Sequence, residues 1–145
     1  MLPLQFPDPD FSVRKINDQP QVFDRLRKRW LKITPEEWVR QNMVRMLIDE
    51  LRFPSAYISI EKEILVGKLS KRFDLLVYDA SHHPWMLIEC KAPEVILTEK
   101  TAEQMLNYQQ VIQAGYMIIT NGNTAMGWEY HNGKIILMDK WPVWN

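Results

Sequence analysis

The sequence has one cysteine, Cys90, in 145 residues. A lone thiol excludes an intramolecular disulfide and a zinc cage built from cysteines. No apolar run approaches the ~20 residues that a membrane-spanning helix requires. The opening Met1-Leu2-Pro3-Leu4-Gln5-Phe6-Pro7 has neither a charged n-region nor a long apolar h-region, so no secretory leader is expected. These absences together point to the cytoplasm and away from a membrane. Net charge is lacking too, because 18 basic residues balance 18 acidic ones. That argues against coating nucleic acid by bulk charge and leaves room for a local basic stripe. Internal repeats and low-complexity tracts are absent. The neighbouring His82 and His83 lack the spacing of zinc ligands on a helix and read as a solvated loop.

Nearly half the residues are apolar (46%), which suffices for one domain with one core. Residues 1–30 read as an extended arm with a basic segment, packed on a domain that spans 31–145. The arm has prolines at 3, 7, 9 and 20 and little periodicity. The basic run Arg25, Arg27, Lys28, Arg29 and Lys32, with Trp30 inside it, is either a contact for DNA phosphates or a solvated helix face. The first clear helix starts at Thr34-Pro35-Glu36-Glu37, where Thr34 suits the N-cap, Pro35 the first turn and Glu37 a capping box. Val39, Met43, Met46, Leu47 and Leu51 continue it as a buried stripe, and Pro54 stops it.

Ile58, Ile60 and Ile64 share one parity in a β-branched stretch, and Gly67 marks a turn. Phe73–Tyr78 and Trp85–Cys90 are short apolar runs joined tightly enough to pair antiparallel. A second helix is expected over about 98–114, followed by a buried strand at Tyr116–Thr120. Asn132-Gly133 then joins two strands as a hairpin. Helix, three strands, helix, strand, hairpin is the order of an α/β domain with a mixed central sheet flanked by helices.

Charges inside the apolar strands carry the chemistry. Asp74 opens an apolar run. Glu89 and Lys91, two residues apart on the next strand, point to one face about 6.5–7 Å apart. If the strands pair with Asp74 near Glu89, three charged groups meet at one sheet edge, where burial is costly unless they pair or hold a cation. Mg²⁺ suits such a site, with Mn²⁺ as a substitute: it prefers oxygen ligands and often takes one or two carboxylates plus waters and a substrate phosphate. The backbone carbonyl of Ile88 or Cys90 is a candidate third ligand, while the Cys90 side chain alternates away into the core. Lys91 would orient or deprotonate the attacking water, or neutralise transition-state charge. Lys68, Lys71 and Arg72 flank the site and suit phosphate. Set against this stands the plain reading of a surface ion pair and a strand-end charge.

Other residues carry two readings each. Glu37 is explained by capping. Glu36 either favours the positive helix end or, on a stripe with Arg40, Met43 and Leu47, reaches the metal site. Gln104 and Tyr108 share a face of the second helix; they serve packing, with Thr101-x-x-Gln104 as a capping box, or hold a phosphate or base of DNA. Trp141 and Trp144 belong to the core, or cover an edge or a dimer contact.

The ordered set Lys71-Arg72-Phe73-Asp74-Leu75-Leu76-Val77-Tyr78-Asp79, Leu87-Ile88-Glu89-Cys90-Lys91-Ala92-Pro93, Gln104-x-x-x-Tyr108 and Ile119-Thr120-Asn121-Gly122 resembles the N-terminal nuclease domain of type I restriction enzyme R subunits. Thr34-Pro35-Glu36-Glu37-Trp38-Val39-Arg40-Gln41 looks like that family's first helix, and the resemblance covers roughly 31–132. It implies a PD-(D/E)XK restriction-endonuclease-like fold and Mg²⁺-dependent cleavage of DNA phosphodiesters. Asp74 and Glu89 match its metal carboxylates, Lys91 its catalytic lysine, Glu36 its helix glutamate, and Gln104 and Tyr108 its Q-x-x-x-Y element, linked to DNA handling. This sequence departs from a full R subunit in having no G-x-x-x-x-G-K-[ST] loop and hence no ATP-driven motor of that kind. Three functions compete: a Mg²⁺-dependent endonuclease or nickase, a non-catalytic DNA- or protein-binding module within a larger assembly, and a domain whose charged triplet is structural. A duplex cut needs two sites or two nicks, which makes a homodimer a natural partner state.

Overall fold

Asn17 and Asp18 both adopt left-handed backbone (φ 51° and 62°), the requirement of a two-residue hairpin turn. Strands β1 (Val13–Ile16), β2 (Gln19–Asp24) and β3 (Arg29–Lys32) accordingly form an antiparallel meander rather than the expected extended arm. The computed structural model describes residues 1–8 and 10–145, with backbone alone at 66, 69, 110 and 111; Pro9 of the predicted arm lies outside the described residues. The boundary expected between residues 30 and 31 falls inside β3. The basic run is not a helix face: it spans the β2–β3 turn and β3 itself. Asp24 holds that turn, accepting from the backbone N–H groups of Leu26 and Arg27 at 2.9 and 2.8 Å.

Helix α1 (Pro35–Arg45) begins as its sequence requires, with the Glu37 N–H donating to Thr34 Oγ1 at 3.0 Å. It widens into a π turn over Met46–Glu50 and ends before Arg52, which is left-handed (φ 61°). Strands β4 (Ile58–Val66), β5 (Leu69–Tyr78) and β6 (Pro84–Cys90) follow. Helix α2 (Glu99–Ile112) comes next, then β7 (Tyr116–Thr120), β8 (Ala125–His131) and β9 (Lys134–Leu137). The N-cap of α2 is Thr98, in a capping box with Thr101, so Thr101 is the third helical residue rather than the cap.

The six strands β4 to β9 lie side by side in chain order. Pairing is antiparallel except between β6 and β7, which α2 connects as a crossover. The two faces bury different helices. Val39, Met43 and Val44 of α1, with Leu47 of the π turn, pack on Leu75, Val77, Met86, Ile88 and Ile118. Ala102 and Met105 of α2 pack on Phe73, Leu76, Leu87, Met117 and Ile119. The C-terminal segment is tied back over the α1 face: Trp141 Nε1 donates to the Pro3 carbonyl at 2.7 Å and Trp144 Nε1 to the Tyr78 carbonyl at 2.9 Å.

One irregularity matters for the site. Leu75 faces α1 but Phe73, of the same parity, faces α2. On the paired strand Ile60 packs on the α1 side and Ile64 on the α2 side, so the three isoleucines do not share a face as their parity predicts. The change of phase lies at Glu61 and Asp74. Regular partners flank them (Ile60 with Leu75, Lys62 with Phe73), and Glu61 is left-handed (φ 53°). A non-glycine residue there costs on the order of 1–3 kcal/mol and persists only where its surroundings hold it. Arg27 and Arg40 do so, at 3.1 and 3.3 Å from the Glu61 carboxylate.

Asp24 couples the meander to α1. Its Oδ2 accepts from Arg27 Nε at 2.8 Å and from Gln41 Nε2 at 3.0 Å, and the residue is almost fully buried. Burial pushes its carboxyl pKa up, but the Arg27 and Gln41 hydrogen bonds outweigh that and hold it below the usual range. Its stabilisation is therefore present above the unfolded-state pKa and fades as pH falls through the lower folded-state value. Asp24→Ala should cost about 3 kcal/mol in urea unfolding at pH 7, since it leaves buried partners uncompensated. The gap to the unaltered protein should narrow in acid.

Candidate active site

Register places the central pair. Leu75 lies opposite Ile88, so the next residues outward, Asp74 and Glu89, meet where β5 and β6 cease to pair. The Cys90 N–H donates to Asp74 Oδ2 at 2.7 Å and locks that carboxylate against β6. The Cys90 side chain turns into the α1-side core, as its parity predicts.

Glu89 points to the α2 side, into a cleft of about 180 Å³ that Lys71, Lys91, Thr101, Gln104, Met105, Tyr108 and Ile119 also line. Five residues singled out from the sequence thus share one cavity: Lys71, Glu89 and Lys91 from the sheet, Gln104 and Tyr108 from α2. Lys71 Nζ stands 3.5 Å from Glu89 Oε2 and lies over the rings of Phe73 and Tyr108, at 5.5 and 5.3 Å from their centroids. The Lys91 N–H donates to the Thr120 carbonyl at 2.7 Å, which extends the β6–β7 ladder past the site. Beyond it, the Asn121 amide donates to the Val95 carbonyl at 2.7 Å, and its Oδ1 accepts from Asn123 and Thr124 N–H groups, both at 2.9 Å. The Thr120-Asn121-Gly122 motif therefore clamps the segment after Lys91.

On the α1 side a second set of charges closes on Asp74. Arg40 donates to Glu37 through Nε (2.9 Å) and Nη2 (2.7 Å), and its Nη1 reaches Asp74 Oδ1 at 3.2 Å and Glu61 Oε1 at 3.3 Å. Arg27 Nη2 lies 3.2 Å from Glu37 Oε1. Burial alone would lower the Arg40 pKa, but the Glu37, Asp74 and Glu61 carboxylates push it higher still. The α1 glutamate that turns inward is thus Glu37, which is buried, while Glu36 is exposed. The inner face of α1 near the cluster carries positions 37, 40 and 41, and position 36 in the first turn lies outside it. Glu37 accordingly spends its carboxylate on Arg27, Arg40 and Gln41, while only its N–H serves the cap. Arg72 is likewise not brought to the cleft: it is exposed and alternates to the side opposite Lys71. Missed in the sequence are Asp24, Glu61 and the inward turn of Glu37, while Arg27, read as part of the basic run, serves the ion-pair cluster instead; the i, i+3 spacing of Glu37 and Arg40 was the available signal.

Glu89 is the electrostatically strained member. Its Oε1 is buried with no hydrogen-bond partner among the described residues. Burial, then the nearby Asp74 carboxylate, raise its pKa above the ordinary glutamate value. An orphaned buried carboxylate oxygen beside a second carboxylate is the donor pair that fits Mg²⁺, which completes its shell with waters and phosphate. Among the described residues no group of three or more His, Cys, Asp and Glu side chains is arranged to hold a metal ion.

A glutamate whose folded-state pKa is raised destabilises the fold when ionised. Stability should fall as pH rises from the unfolded-state pKa through the folded-state one. Glu89→Gln should therefore raise the melting temperature at pH 7 in EDTA and remove that part of the pH dependence. A melting temperature lowered by Glu89→Gln at pH 7 would contradict the strain.

Comparison with known proteins places this geometry in a family. Residues 35–142 match the family model described as Type I restriction enzyme R protein N terminus (HSDR_N); β1 to β3 lie before the matched region. No curated protein matches the sequence. Among solved structures, a crystal structure of a candidate nuclease of DUF820 from Anabaena variabilis ATCC 29413 is similar in fold. It has a TM-score of 0.50 and 10% identity over 87% of this chain and 80% of that one. The sheet with its two flanking helices is a restriction-endonuclease-like, PD-(D/E)XK-type fold, and with three quarters of its length matched, the chain belongs to the type I restriction enzyme R protein N-terminal family.

Proposed function

We propose that this nuclease-like domain is a Mg²⁺-dependent DNA endonuclease or nickase, with Mn²⁺ as a substitute ion. The observation that carries the reading is Glu89: its Oε1 is buried beside Asp74 with no hydrogen-bond partner among the described residues, and the residue lines a cleft with two lysines. Asp74 and Glu89 would hold the metal, with the Cys90 carbonyl as third protein ligand. When bound, the ion supplies a water of lowered pKa and a charge on the phosphate oxygens. Lys91, which lines the same cleft as Glu89, would orient an attacking water or take its proton. Lys71, half-buried between Glu89 and Tyr108, offers an ammonium to a phosphate entering the cleft. Gln104 and Tyr108 present an amide and a phenol on the same wall to DNA. The placements of Glu36 and Arg72 give them no part in this scheme.

Asp74 and Arg40 favour a second reading. Asp74 is already ion-paired, and a domain that keeps this pair would bind DNA or a protein within a larger assembly without cutting. Cleavage of supercoiled plasmid separates the two. In Mg²⁺ or Mn²⁺ the unaltered protein should nick, and Lys91→Ala and Asp74→Ala, both folded, should lose about 10²-fold or more. Undiminished nicking by folded Lys91→Ala would defeat the mechanism. Binding without turnover in either metal would establish the module instead.

A further inference from the structure

We propose that Arg40 is an internal counter-cation of Asp74, a positioning residue that neutralises this carboxylate in the metal-free protein and sets how tightly the Asp74–Glu89 pair takes a divalent ion. The inference rests on the metal-site reading above.

Three observations support it. The first is the unequal grip of the guanidinium. Two of its nitrogens hold Glu37 at 2.9 and 2.7 Å, a bidentate fork, whereas Nη1 meets Asp74 and Glu61 at 3.2 and 3.3 Å. Arg40 can therefore leave Asp74 and stay anchored on Glu37. The second is the state of Asp74. Its Oδ2 is held by the Cys90 N–H, and its Oδ1 is the oxygen facing Arg40, so a cation taken by this carboxylate would share it with the guanidinium. The third is the contrast within the pair: both Asp74 oxygens are engaged, by Arg40 and by the Cys90 N–H, whereas Glu89 meets Lys71 only through Oε2 and its Oε1 has no hydrogen-bond partner among the described residues.

The physical consequence is competition between like charges. A divalent ion held by Asp74 would be repelled by the guanidinium that lies 3.2 Å from Oδ1, and the guanidinium cannot relieve this by losing its proton. Metal binding then includes giving up the Nη1–Asp74 contact, whose loss is softened because Nη1 keeps Glu61. Arg40 thereby keeps the seam folded without metal at the expense of metal affinity. Removing it should reverse both effects.

The test compares the full chain with Arg40→Met, using Mn²⁺ alone in calorimetric titration and thermal melts with Mn²⁺ or EDTA. Arg40→Met should melt lower in EDTA, bind Mn²⁺ about tenfold more tightly, and gain more melting temperature from Mn²⁺ than the unaltered protein. Asp74→Asn should abolish binding in both backgrounds. Equal or weaker Mn²⁺ binding by folded Arg40→Met, with the unaltered protein binding normally, overturns this inference and leaves the metal site standing. Absence of Mn²⁺ binding in both proteins overturns the metal reading and this inference with it. Should Arg40→Met fail to fold, the unaltered protein decides by ¹⁵N NMR. The Arg40 side-chain N–H signals, identified by their loss in Arg40→Lys, should shift as Mg²⁺ is added. Signals unmoved at saturating Mg²⁺ overturn the inference.

Discussion

Charge compensation across the seam between α1 and the sheet is the constraint on which the rest of the molecule turns. Asp24 and Glu37 are buried, Asp74 is half-buried and Glu61 sits at the exposed rim, and two guanidinium groups, Arg27 and Arg40, hold the four carboxylates together. Without the arginines the carboxylates would repel one another and remain under-solvated, a situation that buried charges do not tolerate. With them the seam becomes a chain of ion pairs running from the β2–β3 turn through α1 to Asp74. The left-handed backbone at Glu61 belongs to the same arrangement. It shifts the phase of β4 and β5 together and leaves Asp74 between the two faces of the sheet, within reach of Arg40 on one side and of the β6 backbone on the other.

This division gives the site two differently wired halves. Asp74 is engaged from the α1 side and is well satisfied by hydrogen bonds. Glu89 faces the α2 side, is poorly satisfied, and shares its cleft with lysines and the Gln104–Tyr108 wall. The polar chemistry of the cleft therefore hangs on the end of β6, where Cys90 turns into the core while Glu89, and Lys91 just beyond the strand, line the cavity.

Much of this was legible in the sequence. The short apolar runs at Phe73–Tyr78 and Trp85–Cys90, joined by a tight loop, pointed to the antiparallel pair. From a tight antiparallel connection the meeting of Asp74 and Glu89 follows by counting. The second helix was legible from its boundaries, and its inward residues from i, i+4 spacing. Three features were hidden for physical reasons. The meander has short, mostly exposed strands with weak apolar alternation, and its Asn17-Asp18 turn, without a glycine, does not stand out as a hairpin signal. The phase change at Glu61 carries no glycine or proline, because tertiary ion pairs rather than intrinsic preference hold that backbone. The choice between Glu36 and Glu37 depends on how α1 is rotated about its axis, and two adjacent glutamates in a first turn look alike until the partners on the sheet and meander are known.

The buried thiol has a practical consequence. Cys90 is enclosed in the α1-side core, and burial, followed by the nearby Asp74 carboxylate, pushes its pKa well above the ordinary value. Thiolate, the form that reacts with maleimides and iodoacetamides, is thus scarce at that position and shielded from reagents. In its native state this chain behaves as a cysteine-free background. A cysteine introduced on the exposed surface of α2, or at the tip of the β1–β2 turn, could carry a fluorophore or spin label alone, and distances across the cleft could be read without first replacing a residue whose backbone braces Asp74.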